Sequence, residues 1–191
     1  MKLHPTALPG VLIVEPAVFT DARGWFMESF NEARFAAAVQ DLALPAPPRF
    51  VQDNHSCSKA GVLRGLHYQL PPHAQGKLVR VVQGAAFDVA VDIRAGSPHF
   101  GRWVGVELSA ANHRQLWVPP GFAHAFLALA DDTHFLYKTT DVYARECERS
   151  IRFSDPAIGI VWPQVPGVAT PLVAPKDAAA PLLAEADLPP L

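Results

Sequence analysis

Side chains that can exchange protons or bind an anion recur in two short motifs in the middle of the chain. Gly61 to His67 has a glycine and a histidine separated by five residues, and Pro119 to His124 follows a Pro-x-Gly-x-x-His pattern. Each histidine read singly is compatible with a hydrogen-bonded structural role. Arg64 and Lys77 accompany His67, however, and a small barrel does not bury three such groups without an anionic or strongly polar ligand. The residues therefore predict a cavity for such a ligand.

Short strands must position these residues, because runs rich in β-branched and aromatic residues recur about every 8 to 12 residues. This spacing is typical of a β-sandwich or barrel. The predicted strands are Val11 to Val14, Phe50 to Gln52, Val62 to Gln69, Lys77 to Gln83, Ala85 to Ile93, Trp103 to Leu108, Arg114 to Val118, Ala125 to Leu129, and His134 to Thr139. One peripheral helix is predicted over Asn31 to Leu42, with Asn31 as its N-cap.

Strict alternation along Val62 to Gln69 would place Arg64 and His67 on opposite faces of the strand. Gly65 lies between them, and glycine permits a bulge or other irregularity. We therefore expect an irregularity at Gly65 that brings the two side chains to the same cavity.

The two motifs resemble those of the cupin superfamily, which implies a mainly β, cupin-type jelly roll with a few short peripheral helices. A metal-binding cupin would have a second histidine and a glutamate where this chain has Gln69 and Lys77. A lysine ammonium has no lone pair and repels a divalent ion. The substitutions predict that the protein uses no metal.

A longer series of motifs is similar to the dTDP-4-dehydrorhamnose 3,5-epimerase family, in order and over residues 8 to 185. The matching segments are Asp21 to Glu28, Gln52 to Ser56, Gly61 to Gln69, Lys77 to Val81, Asp88 to Arg94 with Ser97-Pro98, Pro120 to His124, Tyr137-Lys138 with Tyr143 and Glu148, Asp155-Pro156 through Ile160 to Pro163, and Lys176-Asp177. Ala125 stands where the family pattern has glycine, and Cys57 lies in a variable stretch. Neither departure removes a functional group.

The resemblance implies proton transfer next to a 4-keto group, with no cofactor. The C3 and C5 hydrogens of such a sugar are acidic because the carbonyl takes up charge as an enolate, so the site needs a base, an oxyanion stabiliser and a proton donor. By resemblance the catalytic residues are His67 as general base, Asp177 as its orienting carboxylate and Tyr137 as proton donor. An imidazole is largely neutral and a phenol largely protonated at pH 7, which suits these roles.

The resemblance also implies the substrate-binding residues. Asn54, Arg64 and Lys77 are expected around the sugar and its developing oxyanion. The nucleotide end is expected to be bound by Arg23, Glu28, Gln52, His124, Glu148 and Lys176, with Tyr143 stacking on thymine. Cationic side chains suit a pyrophosphate, and an aromatic face suits a flat base.

Composition sets limits on the class of protein and its partners. Half of the 191 residues are hydrophobic and 18% are charged, which predicts one folded domain over residues 1–191. The proline- and alanine-rich stretch 163–191 is expected to wrap on that domain as a surface tail. With 16 Lys and Arg against 18 Asp and Glu, no basic field favours nucleic acid or an anionic membrane.

The cellular setting and the assembly are also expectations. No apolar targeting or membrane-spanning stretch is visible, and Cys57 and Cys147 are far apart, so a reduced cytoplasmic protein is predicted. The family resemblance implies a homodimer in which amino-terminal segments, including Asp21 to Phe30, cross between subunits.

Three alternatives remain at the sequence level. The chain could be a 3-only or 5-only epimerase of another dTDP-deoxysugar pathway, although Tyr137 favours the double epimerase. It could be a non-catalytic nucleotide-sugar-binding jelly roll, which would need neither His67 nor Tyr137. A metal-dependent cupin oxygenase is disfavoured by Lys77.

Overall fold

Two six-stranded sheets and a separate two-stranded hairpin account for the strands of residues 1–189, the part of the chain that this computed structural model describes. The strands are β1 (Lys2–Pro5), β2 (Leu12–Glu15), β3 (Val18–Asp21), β4 (Gly24–Met27), β5 (Gln52–Ser58), β6 (Val62–Gln69), β7 (Lys77–Gln83), β8 (Ala85–Asp92), β9 (Trp103–Ser109), β10 (Gln115–Val118), β11 (Phe122–Ala128), β12 (Thr133–Thr139), β13 (Glu148–Ser150) and β14 (Leu172–Val173). The helices are α1 (Glu32–Asp41), α2 (Pro175–Ala178) and a 3-10 turn at Leu183–Glu185.

The first sheet has the strand order β1-β2-β10-β7-β12-β5, and the second has the order β13-β6-β11-β8-β9 with β14 beside β6. All pairings within these sheets are antiparallel except that of β14 with β6. Val79 and Phe135 from the first sheet pack against Ala90 and Phe126 from the second, in one buried core. Apolar residues on the facing sides thus hold the two sheets together. The predicted mainly β jelly roll is confirmed.

The predicted strand bounds agree best with the structure where apolar and polar residues alternate or where apolar residues form a continuous run. The bounds of β6 and β7 are as predicted, and the other predicted strands lie within a few residues, with one exception. The expected strand at Phe50 to Gln52 is wrong, because the strand begins at Gln52 and continues through the polar run to Ser58. Helix α1 has Asn31 as N-cap, and its side chain accepts a hydrogen bond of 3.1 Å from the Arg34 N–H.

The irregularity expected at Gly65 is present between β6 and β11. His67 lies opposite His124 and Arg64 lies opposite Phe126, so two residues of β6 face one residue of β11. Gly65 has a φ of 116°, and a Cβ there would lie 2.5 Å from the His124 carbonyl oxygen. Only glycine fits this backbone, and the register shift turns both side chains toward one cavity.

The C-terminal stretch 163–189 packs on the second sheet. Strand β14 lies parallel to β6, and the Leu183 N–H donates a hydrogen bond of 2.6 Å to the buried Asp155 carboxylate. The Tyr68 hydroxyl donates one of 2.6 Å to the Asp187 carbonyl. The last two residues of the predicted tail lie outside the described residues, and the division of the whole chain into one domain stays a prediction.

No helix within residues 1–189 is both long and apolar enough to cross a membrane.

Candidate active site

A cavity of about 600 Å³, called the main cavity below, opens between the two sheets. Strands β5, β7 and β12 of the first sheet line one side, and β6, β11 and β13 of the second line the other. A smaller cavity of about 150 Å³, called the side cavity, shares several of its residues. Of the predicted site residues, the main cavity is lined by Asn54, Arg64, His67, Lys77, His124, Tyr137, Glu148, Lys176 and Asp177, and the side cavity adds Gln52 and Tyr143.

His67 and Asp177 form a dyad in the main cavity. His67 Nε2 and Asp177 Oδ1 are 2.7 Å apart, and the second carboxylate oxygen accepts the Gly65 N–H at 3.2 Å. Burial alone would raise the pKa of Asp177, but the His67 hydrogen bond and charge, the Gly65 N–H and the Lys176 ammonium hold it below its usual value. An ionised carboxylate only accepts hydrogen bonds, so Nε2 carries a proton, and the tautomer of a neutral His67 ring has its lone pair on Nδ1.

The backbone determines where the two members of the dyad lie. The bulge at Gly65 turns His67 toward the cavity, and α2 follows directly on β14, which is paired with β6. Asp177 in α2 is 2% exposed, although composition had suggested a surface tail. His67 Nδ1 has no hydrogen-bond partner within residues 1–189 and is not among the fully buried polar atoms, so it is accessible from the main cavity.

Lys77 and Tyr137 come from the opposite sheet. Lys77 is buried and donates a hydrogen bond of 3.3 Å to the His67 carbonyl. Burial lowers the pKa of Lys77 to about 8, although the charges of Asp88 and Glu148 act in the other direction. Burial raises the pKa of the Tyr137 phenol, so it is protonated at neutral pH even with the Arg64 guanidinium nearby. The site thus combines an ammonium and a phenol that can donate hydrogen bonds or protons.

A second histidine and carboxylate pair lies at the inner end of the cavity. His124 Nε2 and Asp88 Oδ1 are 2.8 Å apart, and both residues are buried. Burial raises the pKa of Asp88, against the lowering influence of His124 and Lys77. His124 lies opposite His67 in the sheet and lines the main cavity only, whereas the resemblance had assigned it to the nucleotide end.

Asp88 was not predicted as a site residue. The available signal was its position in β8, where it is a carboxylate in the middle of an otherwise mostly apolar strand. A buried carboxylate needs a partner, and its second oxygen has none within residues 1–189.

At the open end of the site, polar side chains are joined to one another by hydrogen bonds. Glu148 accepts a hydrogen bond of 3.0 Å from Lys176 and another of 3.1 Å from the Tyr143 hydroxyl. Burial would raise the pKa of Glu148, but Lys176 and Tyr143 lower it below its usual value. Tyr143 remains 54% exposed and lines the side cavity, where an aromatic ring suits a flat ligand.

Arg64 and Asn54 approach the cavity from opposite sides. Arg64 Nε donates a hydrogen bond of 3.2 Å to the Ser58 hydroxyl, and Asn54 accepts one of 3.0 Å from Gln52. These contacts hold the guanidinium and the amide near Tyr137, which pairs with Asn54 across β5 and β12.

Two predicted residues lie outside both cavities in the single chain. Arg23 lies in the β3–β4 hairpin, where it pairs with Asp21, and its side chain is 90% exposed. Glu28 pairs with Arg34 at 3.1 Å. The chain by itself therefore does not bring either residue to His67.

No three His, Cys, Asp or Glu side chains within residues 1–189 are grouped so that they could hold a metal ion. Gln69 and Lys77 occupy the two remaining ligand positions of a metal cupin, and Lys77 offers an ammonium where a carboxylate would be needed. This donor set does not fit a cupin metal.

The family profile described as dTDP-4-dehydrorhamnose 3,5-epimerase matches residues 5–185. The chain belongs to this family. It is 57% identical over 177 residues to the dTDP-4-dehydrorhamnose 3,5-epimerase of Shigella flexneri, covering 93% of each chain. The resemblance noted in the sequence is thereby confirmed.

Solved structures agree with the family assignment. A dTDP-6-deoxy-D-glucose-3,5-epimerase from Legionella pneumophila, in complex with dTDP-4-keto-L-rhamnose, superposes with a TM-score of 0.90 at 48% identity, covering 100% of this chain and 98% of that one. A 3'-monoepimerase from Streptomyces bikiniensis, in complex with dTDP-quinovose, gives 0.86 at 37% identity, covering 98% and 92%. Double and single epimerases therefore share this fold.

Proposed function

We propose that this protein is an isomerase that inverts C3 and C5 of dTDP-4-dehydro-6-deoxy-D-glucose to give dTDP-4-dehydro-L-rhamnose, in deoxysugar biosynthesis. Removal of a C3 or C5 proton leaves its electron pair on the C4 oxygen as an enolate. A proton delivered to the other face re-forms the C–H bond with inverted configuration. Exchange with water then restores both catalytic groups, so no redox cofactor is required.

The observation that carries the proposal is the placement of a base and an acid on facing sheets. His67 belongs to the second sheet and Tyr137 to the first, and both line the main cavity. A sugar ring bound between the sheets would have imidazole Nδ1 on one face and the phenol on the other. Inversion requires this arrangement, because the departing and arriving protons use opposite faces of the carbon.

Charge at the C4 oxygen would be stabilised by groups near the same point. Lys77 is an ammonium held beside the His67 carbonyl, and Arg64 supplies a guanidinium from β6. Hydrogen bonds from ionised donors are roughly twice as strong as neutral ones, so they can stabilise an enolate without a metal. His124, hydrogen-bonded to Asp88 and opposite His67, would contact the sugar here and not the nucleotide end that the family resemblance implies.

The nucleotide would lie at the open end of the site. Tyr143 offers an exposed aromatic face for thymine, and Lys176 offers an ammonium for the pyrophosphate. Gln52 and Glu148 border the same side cavity. The relatives with dTDP-sugar ligands support this assignment by similarity.

Incubation with dTDP-4-dehydro-6-deoxy-D-glucose in D2O, followed by NMR of the sugar, tests the reaction and its positions together. We expect deuterium at both C3 and C5 and a product with both centres inverted. His67→Ala should abolish exchange at both carbons. Full 3,5-epimerase activity in that variant would refute the assignment.

The same experiment separates the alternatives. Exchange confined to one carbon would identify a 3-only or 5-only epimerase, and binding without exchange would identify a non-catalytic binding protein. A metal-dependent reaction would stop on exhaustive chelation and return with one divalent ion. We expect activity to survive chelation, because Lys77 takes the place of a metal ligand.

We further propose that the working unit is a homodimer whose sites borrow residues from the partner. The β3–β4 hairpin (residues 18–27) pairs with neither large sheet, and it exposes Phe19, Trp25 and Phe26 by 64%, 57% and 70%. Exposed aromatic clusters of this kind mark interaction sites. Arg23, at the hairpin turn, would then reach the nucleotide of the other subunit, which accounts for its distance from its own cavity.

Complementation between two inactive variants tests the exchange. His67→Ala subunits mixed with Arg23→Ala subunits should regain activity, because one site of each heterodimer then has both groups intact. Verified heterodimers without activity, or a stable active monomer, would show that each site is built within one chain.

The cytoplasm remains the proposed compartment. Cys57 and Cys147 are both unpaired thiols in the part of the chain that the structure describes, which suits a reducing environment.

A further inference from the structure

Gln69 is the residue that replaces the second metal-binding histidine of a cupin, and the proposed reaction gives it no role. It is 6% exposed and lies on β6, two residues beyond His67. A glutamine amide has two N–H donors and one carbonyl acceptor, and burial makes each of them costly to leave unpaired. The partners of this amide therefore indicate what the side chain holds in place.

The amide of Gln69 is bound to the backbone on both sides of Tyr143. Nε2 donates to the Val142 carbonyl at 3.1 Å and to the His73 carbonyl at 2.6 Å, and Oε1 accepts the Ala144 N–H at 2.8 Å. Val142 and Ala144 immediately precede and follow Tyr143 in the chain.

A second glutamine completes the arrangement. The Tyr143 N–H itself donates to Gln52 Oε1 at 3.0 Å. Three consecutive residues outside any strand thus have a backbone group bound to a glutamine side chain that is anchored in a strand, Gln52 in β5 and Gln69 in β6. Tyr143 is presented on a fixed backbone while its ring stays exposed.

We propose that Gln69 is a positioning residue for nucleotide binding, because it holds the backbone of Tyr143 so that the ring is ready to stack on the base. This inference rests on the proposed function, in which Tyr143 meets the thymine. A ring held in place before binding loses less conformational freedom when the base stacks on it, which raises affinity. Gln69 also lines the side cavity, and in this arrangement it acts on base binding through the Tyr143 backbone and takes no part in proton transfer.

Calorimetric titration of the purified full-length protein with dTDP alone tests the proposal. Base–aromatic stacking is worth about 1–3 kcal/mol, so Tyr143→Ala should weaken dTDP binding by roughly 5- to 150-fold. Gln69→Glu keeps the shape of the side chain but places an acceptor against two carbonyls, and we expect binding to weaken at least about threefold. Epimerisation with this variant should show a raised KM and a kcat within about twofold of the wild-type value.

A double-mutant cycle distinguishes positioning from general damage. In the Tyr143→Ala background, Gln69→Glu should change dTDP affinity by less than about twofold, because the ring it positions is gone. Thr133→Val is the matched control, since the buried Thr133 hydroxyl, which lies within hydrogen-bonding distance of the Ala85 and Ala130 carbonyls and can donate its one proton to either, lines neither cavity. This control should lose stability and keep wild-type dTDP affinity.

Wild-type affinity in a folded Gln69→Glu protein would overturn the proposal, as would an undiminished effect in the Tyr143→Ala background. Equal weakening by Thr133→Val would overturn it too. If Gln69→Glu does not fold, the titrations are repeated with Gln69→Met, and amide hydrogen exchange is measured on the wild-type protein. The Tyr143 and Ala144 amides should then exchange more slowly than the Arg145 amide, and equal exchange at all three would refute the fixed backbone.

The two proposals can fail separately. A wild-type protein that binds dTDP and shows the cycle described above, yet catalyses no epimerisation, would refute the proposed reaction and leave the role of Gln69 intact. A wild-type protein that does not bind dTDP would refute both.

Discussion

Asp177→Asn removes one charge from the dyad while keeping the shape of the side chain. The buried carboxylate accepts two hydrogen bonds, from His67 Nε2 at 2.7 Å and from the Gly65 N–H at 3.2 Å. An asparagine has one acceptor and one donor end, so it cannot accept both hydrogen bonds at once. The two orientations of the amide therefore have different consequences.

With the amide oxygen toward Gly65, the NH2 group faces His67 Nε2 and moves the imidazole proton to Nδ1, the nitrogen proposed to act as base. With the oxygen toward His67, the tautomer is correct but the NH2 group faces the Gly65 N–H, which leaves a buried donor unpaired at a cost of about 1–3 kcal/mol. The first, inactive orientation is favoured by that amount. Loss of the charge-assisted hydrogen bond to the imidazolium adds about 1–2 kcal/mol.

The two effects together raise the barrier by about 2–5 kcal/mol, which corresponds to a loss of kcat of roughly 30- to 5,000-fold. Deuterium exchange at C3 and C5, followed by NMR at saturating substrate, measures the loss, and dTDP binding should be nearly unchanged. Asp187→Asn is the matched control, because Asp187 also belongs to the C-terminal stretch but pairs with Arg149 at the surface. An Asp177→Asn enzyme that keeps more than about a third of the wild-type rate would refute the reasoning.

Three further results are expected. Because burial lowers the pKa of Lys77 to about 8, the epimerisation rate should fall as pH rises through that value. Between pH 8 and about 10.5 the unfolded chain still binds the Lys77 proton and the folded chain does not, so the free energy of unfolding of the wild-type protein should increase with pH relative to that of Lys77→Met. A rate independent of pH from 7 to 9 would exclude the ammonium from the rate-limiting step. Tyr137→Phe should keep some deuterium exchange but invert C3 and C5 less efficiently. Normal inversion in this variant, seen by NMR of the product, would contradict the proposed role of Tyr137 as proton donor. Gly65→Ala, whose Cβ would meet the His124 carbonyl at 2.5 Å with a φ of 116°, should lower the free energy of unfolding in urea by at least about 2 kcal/mol.

Apolar patterning explains which elements could be predicted. The strands β6 and β7 contribute buried residues such as Leu63 and Val79, and the pattern defined their bounds to the residue. The polar strand β5 was missed because one of its faces lines the cavity and the other faces outward, so burial imposes no apolar alternation on it. The hairpin β3–β4 was missed as structure because its apolar residues are exposed in the single chain.

The candidate site was predicted mostly through the family motifs, with one local exception. The irregularity at Gly65 followed from alternation alone, since Arg64 and His67 needed a shift to share a face. The Asp88 carboxylate and the Gln69 contacts could not be predicted, because they depend on which residues of distant strands come into register. Arg23 was assigned to the nucleotide end through the family motif alone, and the single chain leaves it outside both cavities, so its role rests on the proposed dimer.

The dyad joins two residues that are 110 positions apart in the chain. Closing so long a loop has an entropy cost, and the strand pairing that brings α2 to β6 is the two-residue parallel pairing of β14. The epimerisation rate should therefore depend on whether the C-terminal stretch is docked on the second sheet, whereas the circular dichroism of the β-sheets depends on the core. Proteolytic clipping just before Asp177 should consequently separate the two, leaving a β-rich protein that lacks the carboxylate beside the proposed general base.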